Sequence, residues 1–422
     1  MVVSTVRGSR VVALGSVLLL GSFSVVFVGA GSSSATNGRC LGMTATIVGT
    51  DLPDVIVGTA GADVIMGLGA HDVIRGLGGN DRICGGRGLD ELFGGEGRDR
   101  LAGQADPPPS TQLNFPSGDT LAGGKGDDVL YGGGRSGDSG FGDAVSFRGA
   151  VGGVSVDLRV GKSHGQGDDT LVGFEAIIGS AHADSLRAVR GAEVHAGKGN
   201  DRLHSAPGPE TLLGGGGQDH LVLGPRDSGD AGDGADVLRM KAAGNATAEG
   251  GGGADTFVGG PGPDTFYDFS PSVNNDVAHG RGGSDVIELG IGSDVSVGGP
   301  GGDVILAGPG ADRVDGGPGR DRYSGGTLSS DGFTVNLRLG TATGGGTGVD
   351  QLTSIADVDG SFYDDVLIGD ANSNDFFAGP GDDQMSGGAA DDVLTGFDGV
   401  DQADGGPGID TCTAENLSRC EQ

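Results

Sequence analysis

Glycine and aspartate return every nine residues, and this period limits the possible fold more than any other feature of the sequence. Written in nines from Gly49, the chain reads GTDLPDVIV, GTAGADVIM, GLGAHDVIR, GLGGNDRIC, GGRGLDELF and GGEGRDRLA, ending at Ala102. Position 1 of these six units is always Gly, position 6 always Asp and position 8 always Ile or Leu. The position-6 residues are Asp54, Asp63, Asp72, Asp81, Asp90 and Asp99. The register returns at 123–131 with Asp128, at 196–222 with Asp201 and Asp219, and at 250–267 with Asp255 and Asp264. It then runs through 280–324 with Asp285, Asp294, Asp303, Asp312 and Asp321, and through 360–413 with Asp365, Asp383, Asp392, Asp401 and Asp410.

Positions 1 to 6 have turn chemistry, since glycine takes positive φ without steric cost. Positions 7 to 9 are rich in Val, Ile, Leu and Thr and read as a short strand whose central residue points inward. One such strand buries nothing alone; stacked copies make a stripe of Ile and Leu. Two nonads close one coil, which places turns of the same side eighteen residues apart. The expected fold is all-β: a parallel β-roll, or β-solenoid, with two spacer segments.

Composition agrees. Of 422 residues 93 are Gly, aromatics are 5%, and there is no Trp, so a large globular core is not available. The balance of 26 Lys+Arg against 58 Asp+Glu gives a net charge of −32. That opposes binding to nucleic acid or to an anionic membrane, each of which needs a basic face. It also opposes folding by self-repulsion unless cations intervene, and regularly spaced Asp suits a hard cation.

The N-terminus reads as an export signal over residues 1–30. Arg7 and Arg10 precede an apolar stretch at 11–28, and Val28 and Ala30 fit cleavage after Ala30. No membrane insertion is expected after that cleavage. The four cysteines fall as one pair near each end of the remaining chain. In an exported protein an even count implies disulfides, here Cys40–Cys84 and Cys412–Cys420.

The nonads resemble the hemolysin-type, or RTX, repeat G-G-x-G-x-D-x-U-x, where U is a large apolar residue. The terminal stretches CLGMTATIVGTDLPDVIVGTAGADVI and GGPGIDTC resemble exported actinobacterial-like members. The resemblance implies a calcium-binding β-roll without a catalytic domain. It implies that the position-6 aspartates and the carbonyls of the Gly-rich turns hold Ca2+ between stacked turns. Asp54 would then pair with Asp72, Asp63 with Asp81, Asp72 with Asp90, Asp81 with Asp99, Asp285 with Asp303, Asp294 with Asp312, Asp383 with Asp401, and Asp392 with Asp410. Such pairing takes up roughly a dozen ions and is coupled to folding.

The longer segments with VSVDLRVG, GDDTLVGFEAIIGS and ADSL, and with TVNLRLG, GVDQLTSIADVDGS and DDVL, align at a shift of about 180 residues and resemble family spacers. The expected organisation is a repeat segment at 31–143, a spacer at 144–190, a repeat segment at 191–324, a spacer at 325–359, and a C-terminal repeat segment with a disulfide cap at 360–422. Some units depart from the pattern: Glu210 and Asn374 stand at position 6, and Ser296 and Ala403 at position 8. The best-known family members also leave through a one-step channel using a C-terminal signal, unlike the N-terminal one expected here.

Sharper chemistry finds little support. GDSG at 137–140 matches a protease nucleophile motif, in a Gly/Asp-rich stretch where chance matches are expected. There is no H-E-x-x-H, the histidines are scattered, and the DVDG around Asp357 and Asp359 lacks the first acid of an EF-hand loop. The Pro-rich insertion at 104–116 reads as a surface excursion. The leading expectation is extracellular calcium binding with no enzyme activity. The alternatives are a surface adhesion or matrix role with an unknown cell-surface partner, or a module associated with a secreted hydrolase.

Overall fold

A computed structural model describes residues 38–103, 118–133, 142–241, 244–324, 331–344 and 348–420, and the backbone of 24–27. The expected signal lies largely outside the described residues, as do its cleavage point, the Pro-rich insertion and the GDSG stretch. Within that signal segment, the backbone of Ser24–Phe27 runs parallel to Asp54–Val57. The chain divides into two compact units, residues 1–197 and 198–422, and the described residues form strands and turns without a helix. The protein is a parallel β-solenoid, as the nonad period requires.

In the first unit, strands alternate between two stacks. Asp54–Val57, Val73–Gly78, Glu91–Glu96 and Thr120–Lys125 pair in parallel in one stack. Val64–Gly69, Arg82–Arg87, Arg100–Ala102 and Val129–Tyr131 pair in the other. Position 8 points inward throughout: Ile56, Ile74, Leu92 and Leu121 lie in register, as do Ile65, Ile83, Leu101 and Leu130, and all are fully buried. Each fully buried Ile or Leu contributes about 1.5–3 kcal/mol of transfer free energy. The coils pack so closely that a side chain on Gly88, whose φ is +141°, would begin 1.8 Å from the Ala70 carbonyl oxygen.

The second unit repeats the design with larger core residues balanced by small ones. Leu238, Phe257, Ala278, Ser296 and Val314 follow one another in register, as do Ala248, Phe266, Ile287, Ile305 and Tyr323. Phe257 meets Phe266 across the core with ring centroids 5.5 Å apart. Ser296 and Ala403, the weak position-8 residues, are both buried and in register, so small residues there keep the coil.

The two spacers have one topology. In the first, Asp168–Val172 stacks parallel on Val129–Tyr131. Lys162–His164 runs antiparallel between it and Ser155–Asp157, which stacks parallel on Ser185–Arg187. In the second, Val349–Thr353 stacks on Arg313–Asp315, Thr341–Gly344 is antiparallel to it and to Phe333–Asn336, and Phe333–Asn336 stacks parallel on Val366–Ile368. The spacers therefore insert an antiparallel meander into one stack while the other continues in parallel.

Both disulfides form, Cys40–Cys84 and Cys412–Cys420. The first ties the hairpin Arg39–Cys40 with Met43–Thr44 to the strand Arg82–Arg87.

Candidate metal centre

Every position-6 aspartate named above is buried, none more than 9% exposed. The turn brings each to the mouth of its strand, where its side chain faces the preceding coil of the same side. The N–H of Asp54 donates to Asp72 Oδ1 at 2.9 Å, that of Asp72 to Asp90 Oδ1 at 2.8 Å, and that of Asp90 to Asp119 Oδ1 at 2.7 Å. On the other side Asp63, Asp81, Asp99, Asp128 and Asp169 form the same ladder. In the second unit Asp201, Asp219, Asp236, Asp255, Asp276, Asp294, Asp312 and Asp350 make one ladder, and Asp264, Asp285, Asp303 and Asp321 another. Asp365, Asp383 and Asp401 follow, and Asn374, Asp392 and Asp410 alongside.

The ladder uses one oxygen of each carboxylate. The second, Oδ2, is buried without a hydrogen-bond partner in Asp72, Asp81, Asp90, Asp99, Asp128, Asp219, Asp255, Asp285, Asp294, Asp303, Asp312, Asp321, Asp383 and Asp392. Buried polar atoms without partners are rare, because each costs about 1–3 kcal/mol. Here they recur with the period of the sequence. They converge on the first glycine of the turn, where only the missing side chain lets carboxylate and carbonyl oxygens come so near: a carbon added to Gly67 would lie 2.3 Å from Asp72 Oδ2 and 2.4 Å from the Gly85 carbonyl oxygen. Gly298 repeats this, at 2.3 Å from Asp303 Oδ2 and 2.6 Å from the Gly316 oxygen. An all-oxygen cradle of carboxylates and carbonyls suits a hard cation such as calcium, with the aspartates and turn carbonyls as its holders.

The electrostatics agree. Burial lifts the carboxyl of Asp72 to about 7, with the charges of Asp90 and Asp54 adding to it. Burial raises Asp128 and Asp294 to about 7 and Asp312 to about 8. Burial and the like charge of neighbouring acids together favour the protonated form of these carboxyls.

A second group of turns is closed from within. Asp54 Oδ2 accepts from Thr50 N at 2.6 Å and Thr50 Oγ1 at 3.0 Å, and Asp63 Oδ2 is held likewise by Thr59. Ser361 N donates to Asp365 Oδ2 at 2.5 Å, Gly260 N to Asp264 Oδ2 at 2.7 Å, and Phe397 N to Asp401 Oδ2 at 3.2 Å. These five carboxylates have partners in their own turns.

The sequence model of the RTX calcium-binding nonapeptide repeat matches residues 48–83, 75–106, 116–134, 193–224, 243–268, 274–296, 297–327, 357–385 and 377–412, more than half of the chain. The chain belongs to this family. No curated protein matches it, and no enzyme family is found.

The RTX ladders contain acids that counting in nines passes over: Asp119, Asp143, Asp169, Asp184, Asp227, Asp236, Asp276 and Asp350. Each is followed two residues later by a core position, as in DTL, DAV and DVA, except that Asp227 leads to Gly229. That D-x-U triplet could have found most of them. Asn374 keeps its place in an RTX ladder, its N–H donating to Asp392 Oδ1 at 2.8 Å, and Glu210 donates likewise to Asp227 at 3.0 Å. Tyr323, at a core position, gives its hydroxyl to Asp350 Oδ2 at 2.7 Å. Asp357 and Asp359 form ion pairs with Arg320 and Arg322. An open cavity of about 410 Å³ beside the second spacer is lined by Gly317, Leu337, Leu352, Ile355 and Asp370 among others, and among the described residues lining it Asp370 is the one titratable group.

Proposed function

We propose that this is an extracellular protein whose RTX turns bind calcium, with the ion acting as a structural ligand that completes the β-roll. The observation that carries this is the periodic set of buried, unpartnered Asp Oδ2 atoms that converge with turn carbonyl oxygens on the turn glycines. Without the ion the facing carboxylates repel, so binding is coupled to ordering of the coils. An extracellular setting is supported by the export-like N-terminus and by the two disulfides, which persist under oxidising conditions. Extracellular calcium modules work at about 10⁻⁴–10⁻³ M, whereas magnesium demands a tighter octahedron. Far-UV circular dichroism against calcium, with magnesium as control, tests the reading. The expected result is β signal gained with calcium and not with equal magnesium. A full β signal without calcium, unchanged on its addition, would sink it.

An adhesive role has one specific observation in its favour. Phe377 and Phe397 lie 6.4 Å apart with Phe397 58% exposed, and Arg322 stands over the Phe377 ring at 4.9 Å. Exposed aromatic patches mark contact surfaces. If this patch serves adhesion, Phe377→Ser with Phe397→Ser abolishes attachment to a cell-surface fraction and leaves calcium binding intact.

A further inference from the structure

We infer that Asp268 adds a third carboxylate to Asp255 and Asp276 and makes this one turn a cation site of higher charge, filled before the ordinary turns. The inference rests on the reading of the repeats as calcium sites and goes beyond it in singling out one of them. Asp268 stands at the first position of its turn, where neighbouring turns have Gly250, Gly259, Gly280 and Leu289. Its turn is also longer: Asp268 and Asp276 are eight residues apart, against five for Gly250 to Asp255 and for Gly280 to Asp285. Where a carbon on Gly250 would lie 2.5 Å from Asp255 Oδ2 and Leu289 has an apolar side chain, this position has a carboxylate.

One oxygen from each of Asp255, Asp268 and Asp276 lies within 4.8 Å of the other two, and the three residues are 1%, 2% and 1% exposed. Their hydrogen bonds leave the cluster open. Asp255 Oδ1 accepts from Asp236 N, Asp276 Oδ1 from Asp255 N and Asp268 Oδ1 from Ser270 N. The Oδ2 atoms of Asp255 and Asp276 are buried without a donor, and the carboxyl of Asp268 lies within hydrogen-bonding reach of that of Asp276. Among the described residues no basic side chain acts on Asp255 or Asp276, whereas the Asp268 charge reaches both, and also Glu249 and Asp294. Three buried carboxylates must either take up protons or have their charge compensated by a cation. Affinity at oxygen sites rises with the number of charged ligands, and a third carboxylate also favours a trivalent ion.

Tyr267 immediately precedes Asp268, so terbium luminescence excited through tyrosine reads this site directly. In the full chain, the first equivalents of terbium should give emission that calcium displaces and that Tyr267→Phe removes. Asp268→Asn, which keeps the shape, should weaken this early class at least about tenfold. Calorimetric titration with calcium should lose the same class and keep the weaker one, with the circular dichroism of the calcium-loaded chain unchanged. An early class that keeps its affinity in Asp268→Asn, or that depends on another tyrosine, overturns the inference. If calcium fills all turns as a single class, the inference fails and the reading of the repeats stands; if neither ion binds anywhere, that reading fails as well. Should Asp268→Asn not fold, Asp268→Gly restores the residue of the neighbouring turns and is read in the same way.

Discussion

A position-6 aspartate does two jobs with two oxygens. In Asp90, Oδ1 accepts the Asp72 N–H and Oδ2 has no partner. Asparagine can keep the first role and lacks the charge for the second. Asp90→Asn is therefore expected to raise stability in chelator, by removing a repelling charge, and to lower it in calcium, by removing a ligand. Urea melts under the two conditions check this, and a change of the same sign in both would contradict it. The columns of Asp and of Ile or Leu were legible because a strict count of nine fixes them. The division of roles was not, since Asp63 and Asp90 look alike in sequence. What separates them is the backbone of the turn: the Thr59 N–H and hydroxyl close on Asp63 Oδ2, and the residue type at position 2 does not decide this, since Gly260 N closes on Asp264 while Asp90 Oδ2 beside Gly86 has no partner. Asp169 and Asp350 were missed for another reason. They stand 41 and 38 residues after their ladder partners Asp128 and Asp312, because insertions break the count while the coil resumes.

Among the elements, the hairpin Arg39–Cys40 with Met43–Thr44 depends most on covalent chemistry. It is two residues per strand and is joined to the coil by Cys40–Cys84 across 44 residues. Closing a loop of that length restricts the unfolded chain by about 4 kcal/mol on the chain-entropy account. Replacing both cysteines by serine should lower the melting temperature of the calcium-loaded chain and leave its calcium stoichiometry unchanged; a loss of ions would show that the hairpin also shapes turns. The duplicated spacers were visible as sequence, from VSVDL and TVNLR. Their meander was not visible, because an antiparallel strand such as Lys162–His164 has the same alternation as a coil strand and only its partners reveal its direction.

For the whole molecule, the net charge of −32 and the lifted acids give one pH dependence. The carboxyls of Asp72, Asp128, Asp236 and Asp294 stand at about 7 in the folded chain against 3.8 as the ordinary value. Burial is the main cause, and neighbouring acids add to it. The folded, ion-free coil thus holds protons that the unfolded chain has released. With respect to these groups its stability is greatest below about pH 4, falls as pH rises from about 4 to about 7, and is level above that. Chelator-treated protein should therefore show more β signal at pH 5 than at pH 8. Calcium should displace these protons, so that binding at pH 7 acidifies a weakly buffered solution and weakens toward pH 6. Binding without proton release would mean that the acids are already ionised.

The aspartate ladder also has a polarity. In every rung the earlier residue gives its N–H and the later one supplies the accepting side chain. Near the C-terminus Asp365 leans on Asp383, Asp383 on Asp401, and Asp401 on Glu415, beside the Cys412–Cys420 bridge. These N–H groups are thus satisfied only by the coil that follows, even though rungs of the opposite sense, such as Val400 N–H to Asp382 Oδ1, run beside them. A chain emerging N-terminus first presents each donor before its acceptor exists. Ordering in this run would start at its tail and travel backward, like a zipper whose slider is sewn to the last tooth.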